Sequence, residues 1–519
     1  MKNYNFILVV FITTVAVISC RKDFQFSPSQ GNLTFSVDTL FLDTLFTNIS
    51  SSTYTLKVYN NSNDDIFVPF VNLGFGEDSE YRLSIDGISG KTFENVEILA
   101  KDSLFIFVEV TIDEDAGTAL SSYLYTDEII FDMNENKQEV ALVTLVKDVI
   151  FIHPDQDQTT RSFQTLTLNV GNLAEEEDIT LQGRELKTSE LHFTNEKSYV
   201  IYGYAVVPEN ETLIIDAGAR IHFHNNSGLI VSNNASLQVN GSFSTDQELL
   251  DNEVIFEGDR LESQFSDTPG QWGSIWLLEG SIDNKINYAT IKNASVAILA
   301  DGNASSLNPK LELSNVQIYN ASSYGVLGRQ TSITAENLVI NNCGQSSFAA
   351  TKGGYYNVTH ATIANYWDSS PRPLPALLID NTDFDSDSNV IETQLEEANF
   401  NNCIIYGNNS QELLINTTDN NSSMLNVKFT NCLLRFAQSN PIQDSIYDFT
   451  NMSRYENMIL NKNPDFKNSE ENQFLIGESS EAINRGNTIF SNQVPLDILN
   501  INRADMPDLG AYQHIIFEE

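Results

Sequence analysis

The sequence predicts an all-β chain in which an N-terminal β-sandwich precedes a right-handed parallel β-helix. Three observations carry that reading. First, a six-residue phrase keeps returning: Asn315-Val316-Gln317-Ile318-Tyr319-Asn320, then the segments starting at Asn337, His360, Asn402 and Asn431, with a weaker copy starting at Tyr288. The first residues from Asn315 onward are 22, 23, 42 and 29 apart, and a recurrence of roughly 20–50 residues marks stacked repeats. The long step implies a degenerate or interrupted copy between His360 and Asn402. Second, apolar residues alternate within each copy, as in Val316/Ile318 and Cys403/Ile405, the period of a strand with one buried face. Third, Asn or Gly punctuates each copy where a strand must turn. One such strand cannot bury its apolar face alone, whereas stacked copies make a continuous core. Asn in one column can then hydrogen-bond from coil to coil as a ladder.

The elements follow in order. Residues 1–19 carry a Lys near the start and an apolar run from Phe6 to Ile18, the make-up of a secretory signal peptide and too short for a membrane span. Val17-Ile18-Ser19-Cys20 resembles the bacterial lipobox, whose cysteine is acylated and becomes the first residue of the mature chain. That resemblance implies a lipoprotein held by acyl chains on Cys20, with residues 20–31 as tether. It also implies a place in the bacterial cell envelope, as an outer membrane lipoprotein that faces the surface or the periplasm.

Residues 32–147 alternate in short runs, among them Tyr81/Leu83/Ile85 and Leu104/Ile106/Val108/Val110, with turns at Asp86-Gly87 and Asn134-Glu135-Asn136. About seven such strands without a helix signal fit an immunoglobulin-like (Ig-like) sandwich. The opening phrase Phe35 to Thr47 resembles that of Ig-like domains preceding β-helices in a family of bacterial lipoproteins. Residues 148–197, with the acidic run Glu175 to Asp178, read as a junction.

The coils are expected over 198–460 and a capping segment over 461–519. Gly270-Gln271-Trp272-Gly273 precedes the repeat, and Asn463-Pro464-Asp465-Phe466 and Asp508-Leu509-Gly510-Ala511-Tyr512 close it. In this order these motifs resemble right-handed parallel β-helix repeat lipoproteins of the pectate-lyase-like superfamily. A solenoid needs an atypical last coil over its open end, where Arg503 and Asp508 are expected to pair.

Lys and Arg total 28 against 70 acids, a formal charge of −42. No basic stripe is available for phosphates, so nucleic acid is excluded as a partner; repulsion suits a soluble extracytoplasmic domain. Cys403 and Cys432 share the column of Val316 and read as interior hydrophobes, as does Cys343 outside it.

Some members of the resembled superfamily are polysaccharide lyases, which use calcium-binding carboxylates and a Lys or Arg base. Asp383, Asp385 and Asp387 alternate as calcium ligands can. Ser388 and Gln394, however, stand where an EF-hand has its glycine and its closing acid. His222 and His224 share one strand face but lack further metal ligands and read as a surface strand. Trp272, Trp276 and Trp367 are candidate platforms for sugar rings. Arg329, Lys352, Arg372, Lys428 and Arg435 are the scarce bases of the repeat, none paired with a carboxylate set by spacing. The sequence therefore favours a non-enzymatic, membrane-anchored envelope protein whose β-helix serves adhesion or carbohydrate binding to a polysaccharide or cell-surface glycan. A polysaccharide lyase or hydrolase is the alternative, and a cleft on the coils with converging carboxylates beside a Lys or Arg would favour it.

Overall fold

A computed structural model describes residues 25–112, 122–132, 134–157, 159–168, 179–305, 307–385, 387–418, 423–437 and 445–517. Cys20 and the acidic run 175–178 lie outside them. The chain divides into two compact units, Met1–Asp148 and Val149–Glu519.

The first unit is a sandwich of two sheets. One contains Tyr54–Asn60, Ser103–Val110 and Tyr81–Ile85; the other contains Ile66–Leu73, Ser122–Phe131, Gln138–Lys147 and Thr39–Phe46. The alternation is visible in Ser103–Val110, where Leu104, Ile106, Val108 and Val110 are buried and Phe105 and Phe107 are exposed. Their inner faces meet Val71, Leu73, Ile129, Phe131, Val140 and Leu142 of the opposite sheet in a single core. Asp132, at φ 63°, is buried at the end of one strand, where the Ser29 hydroxyl donates to Oδ2. Burial pushes its carboxyl up to about 6.

The second unit is a parallel β-helix. Each coil supplies one strand to each of three sheets, and each strand pairs in parallel with its equivalent in the next coil. In the first sheet Val149–Ile152 pairs with Ser198–Ile201, then with Arg220–Phe223 and Val254–Gly258. The second sheet runs through Tyr204–Val207, Gly228–Val231, Trp272–Leu277 and Ala294–Asp301. The third runs through Thr212–Asp216 and Ser236–Asn240. The stack thus begins at Val149, and 148–197 is its first coil rather than a junction. Its signal is thin because half of Ile179–Glu185 pairs antiparallel with Thr165–Leu168 in a hairpin, while 183–185 pair with 204–206 in the second sheet.

The recurring phrase straddles a bend between the third and first sheets. Its first residues, Tyr288, Asn315, Asn337, His360, Asn402 and Asn431, all have φ between 43° and 57°. Only Gly, Asn and a few others tolerate this left-handed region, which is why Asn recurs there. The ladder forms: Asn315 Nδ2 donates to Asn287 Oδ1 at 3.2 Å, Asn337 Nδ2 to Asn315 Oδ1 at 2.8 Å, and Asn402 Nδ2 to His360 Nε2 at 3.0 Å. A second ladder joins Asn342 to Asn320 (2.8 Å) and Asn320 to Asn293 (3.3 Å) at the next bend. No coil is missing in the step of 42, because Phe348–Thr359 pairs directly with Leu395–Asn401. That coil is enlarged by an insertion containing the hairpin Thr382–Phe384/Val390–Glu392.

Cys343, Cys403 and Cys432 are buried free thiols, and burial pushes Cys343 up to about 12. Phe400, Phe429 and Tyr455 stack through successive coils at 5.2 and 5.6 Å. Tyr447 and Phe449 pack on Phe436 beyond them, so the residues around 445–455 cover this end of the core.

The tail takes a different course from the one expected. Instead of capping the end, residues 461–517 run along the outer side of the first sheet. Phe474, Ile498, Ala511 and Tyr512 cover Val339 and Ala364; Ile476, Ala482 and Leu509 cover Ile404 and Leu433. Arg503 is fully buried there, but it does not pair with Asp508. Its guanidinium donates to the carbonyls of Gly510 (3.0 Å), Leu496 (3.1 Å) and Ala511 (3.2 Å) and to Asn337 Oδ1 (2.6 Å). Asp508 is taken by the His514 ring and amide and by the Asn484 amide. Buried carbonyls need donors, and Arg503 adds one to each of these three beside the donors they take from His360, Asn337 and Ile498.

Candidate functional site

The second sheet has an unusual outer face. Its inward rows, such as Val207–Val231–Leu277–Ala300, fill the core, but its outward row is also apolar: Val206, Ile230, Trp276, Leu299 and Leu327 align in register. The first-coil hairpin covers the beginning of this row with Leu166, Leu168, Ile179 and Leu181. Where the hairpin meets the strand ends, a cleft of about 430 Å³ opens.

The walls of the cleft come from successive coils. Leu166, Leu168, Val206 and Leu278 give apolar surface; Glu185, Glu209, Glu279, Asp301, Arg329 and Lys352 give charged groups. Asp301 and Arg329 are neighbours in register, and the guanidinium grips the carboxylate with both prongs, Nε to Oδ1 at 2.5 Å and Nη2 to Oδ2 at 2.6 Å. A third donor, Trp276 Nε1, reaches Oδ2 at 2.8 Å. Lys352 Nζ lies 3.0 Å from Asp383 Oδ1, on the inserted hairpin. The carboxylates of Glu185, Glu209 and Glu279 are exposed and accept no hydrogen bond from the described residues. Gly302, at φ +68°, lies against Glu279, and a Cβ there would collide with that side chain.

Lys310 holds this wall from behind. It is buried, and its Nζ donates to the carbonyls of Leu278 (2.5 Å), Glu279 (3.1 Å) and Asp301. Burial pushes its amine down to about 7. The ammonium thereby ties together turn carbonyls from two neighbouring coils.

The expected site residues fall elsewhere. Trp272 is in the core, stacked on Phe223 at 4.3 Å with Nε1 on the Lys292 carbonyl, so no sugar can reach it. Trp276 is buried under the hairpin and acts on the cleft only through Asp301. Trp367 is half-buried in the enlarged coil, with Nε1 on Ser370 Oγ at 3.1 Å. The three tryptophans share no face. Asp383, Asp385 and Asp387 do not converge as calcium ligands either. Asp383 faces Lys352, while Asp385 accepts the Asp387 and Asn389 amides and the Asn389 side chain in its own turn. The Asn389 contacts hold the Asp385 carboxyl below the usual range. Among the described residues, no group of three or more His, Cys, Asp or Glu side chains is placed to hold a metal ion. His222 is buried beside Glu257 (3.5 Å), not on the surface; His224 is exposed and meets Asp259 at 2.7 Å.

The cleft escaped sequence reading because its residues, from Leu166 to Lys352, come from many successive coils. One trace existed: Ala300-Asp301 and Gly328-Arg329 are both a small inward residue followed by an opposite charge, a pairing that only the coil register reveals.

No protein-family model matches the chain, and no curated relative matches it. Among solved structures, it is similar to a family 123 glycoside hydrolase from Clostridium perfringens at 10% identity and a TM-score of 0.16, over 22% of this chain and 26% of that one. The periplasmic chaperone SfaE is similar at 10% identity and a TM-score of 0.16, over 29% of this chain and 84% of that one. The catalytic unit of a GH87 α-1,3-glucanase from Streptomyces thermodiastaticus strain HF3-3 is similar at 10% identity and a TM-score of 0.21, over 73% of this chain and 62% of that one. The chain thus spans about a quarter of the first of these proteins and less than two thirds of the third. Each is a resemblance in outline, too loose to transfer an active site.

Proposed function

We propose that this is a lipid-anchored cell-envelope protein whose β-helix binds a glycan in the cleft beside Asp301 and Arg329. The supporting observation is the composition of that cleft: apolar surface from Leu166, Leu168 and Leu278 next to fixed and unengaged hydrogen-bonding groups. Ligand sites combine apolar walls with a few placed polar groups in this way. Arg329 is oriented by Asp301, and its Nη1 makes no hydrogen bond to the described residues, so it has donors to offer a hydroxyl. A glycan array probed with the chain from residue 21 onward tests the reading. Binding that falls at least tenfold in Arg329→Ala supports it; an array without hits refutes it.

A hydrolase is the second reading, favoured by one observation. Glu185, Glu209, Glu279 and Asp301 gather beside Arg329 and Lys352 in one open cleft, and glycoside hydrolysis uses paired carboxylates. Release of reducing ends from an array hit, abolished in Glu209→Gln or Glu279→Gln, would establish it.

A further inference from the structure

We infer that the cleft selects uncharged saccharides and that Glu185, Glu209 and Glu279 are the filter that rejects uronates and other anionic sugars. The inference rests on the glycan reading above and goes beyond it by fixing the ligand's charge.

Both cations of the cleft are already matched. Arg329 gives Nε and Nη2 to Asp301, and Lys352 faces Asp383. An anionic sugar could reach the free Nη1 of Arg329, but Asp301 already offsets the guanidinium's charge, and a two-pronged grip would require displacing Asp301. The Asp301 side chain is only 11% exposed, so displacement would strand a largely buried charge, which costs far more than an exposed ion pair returns. The carboxylates of Glu185, Glu209 and Glu279 remain, exposed and with no hydrogen-bond donor among the described residues, and only Glu279 has a cation, Lys310, behind it; together they set a negative potential at the mouth. The formal charge of −42 on the whole chain deepens it. Like charges brought together at a binding surface disfavour the wrong partner.

An uncharged sugar meets no such penalty. Its hydroxyls donate to the three glutamates and accept from Arg329 Nη1, while its C–H face lies on Leu166 and Leu278. The glutamates therefore serve as acceptors for one ligand class and as a barrier to the other.

The test compares uncharged and uronate oligosaccharides of equal length on one array, with titration calorimetry on the best uncharged hit and its uronate counterpart. The wild-type chain is expected to bind the uncharged ligand and to show no saturable binding of the uronate. In a Glu185→Gln/Glu209→Gln/Glu279→Gln variant, the affinity for the uronate relative to that for the uncharged ligand is expected to rise about tenfold or more. All three positions are exposed, so the fold is retained; an unchanged melting profile verifies this. Equal wild-type affinity for both ligands would overturn the filter and leave the glycan reading standing. A variant that still rejects uronates would also overturn the filter. Absence of any uncharged hit would remove both readings.

Discussion

Asn402 and Asn487, far apart in the chain, pair through one side chain as two strands pair through their backbones. Asn402 Oδ1 accepts the Asn487 amide at 2.7 Å, and its Nδ2 donates to the Asn487 carbonyl at 3.0 Å. The same Nδ2 lies 3.0 Å from His360 Nε2. The bend residue thus links its own coil to the previous one and to the tail lying outside.

Asn337→Ala and Asn402→Ala are each expected to cost about 1–3 kcal/mol, because buried partners lose their bonds. For Asn337 these are Asn315, Leu496 and Arg503. Denaturant midpoints monitored by tryptophan fluorescence read the β-helix alone, since Trp272, Trp276 and Trp367 all lie in it. Unchanged midpoints would remove the ladder as a source of stability.

Arg503→Met is expected to loosen the tail before the coils. The buried guanidinium serves three carbonyls and Asn337; each carbonyl keeps a second donor, but Asn337 Oδ1 would lose its partner, which costs about 1–3 kcal/mol. Limited proteolysis should then cut within 461–517 many times faster than in the wild type while the coil region stays intact. Equal cutting rates would show that the apolar contacts of Tyr512 and Leu509 hold the tail without it.

Asp132 gives the sandwich a pH dependence of uncommon sign. Its folded value of about 6 lies above the usual aspartate value of about 4, so the folded state binds more protons between these limits. Its contribution therefore stabilises as pH falls from about 7 towards 4 and is lost as pH rises through about 6. Asp132→Asn keeps the left-handed backbone and the Ser29 contact. It should be more stable than the wild type at pH 7 and equal to it near pH 4, as read by hydrogen exchange of the Ile129–Phe131 amides. A difference that does not change with pH would exclude this role for Asp132.

Cys20, outside the described residues, is expected to carry the anchor. Cys20→Ala should move the exported chain from the membrane fraction to the soluble one. Membrane retention of that variant would refute the lipoprotein assignment.

The bends were legible because a left-handed backbone restricts residue type so strongly that Asn315, Asn337 and Asn402 announce it in the sequence. The tryptophans were not. Trp272 and Trp276 have the same parity and should share a face, but the register shifts between Ser274 and Ile275. The extra residue there is Ala297 of the partner strand, but alternation also breaks within Trp272–Leu277, where Trp272, Ile275 and Leu277 all enter the core and Trp276 is left on the outer face. The tail's course was hidden for another reason. Its apolar residues, Ile498 and Leu509 among them, carry no period, and only the apolar outer side of the first sheet tells where they dock.

The enlarged coil has a practical consequence. Although it inserts a hairpin and a long loop, Asn402 still meets His360 and Leu395–Asn401 still pairs with Phe348–Thr359. Registration is thus carried by bends and ladders and is indifferent to how much chain leaves and returns between them. The hairpin Thr382–Phe384/Val390–Glu392, outside the stacked strands, is accordingly a natural graft point, where a foreign loop could be exchanged and displayed next to Lys352 while Leu377–Asp380 keeps its place in the coil.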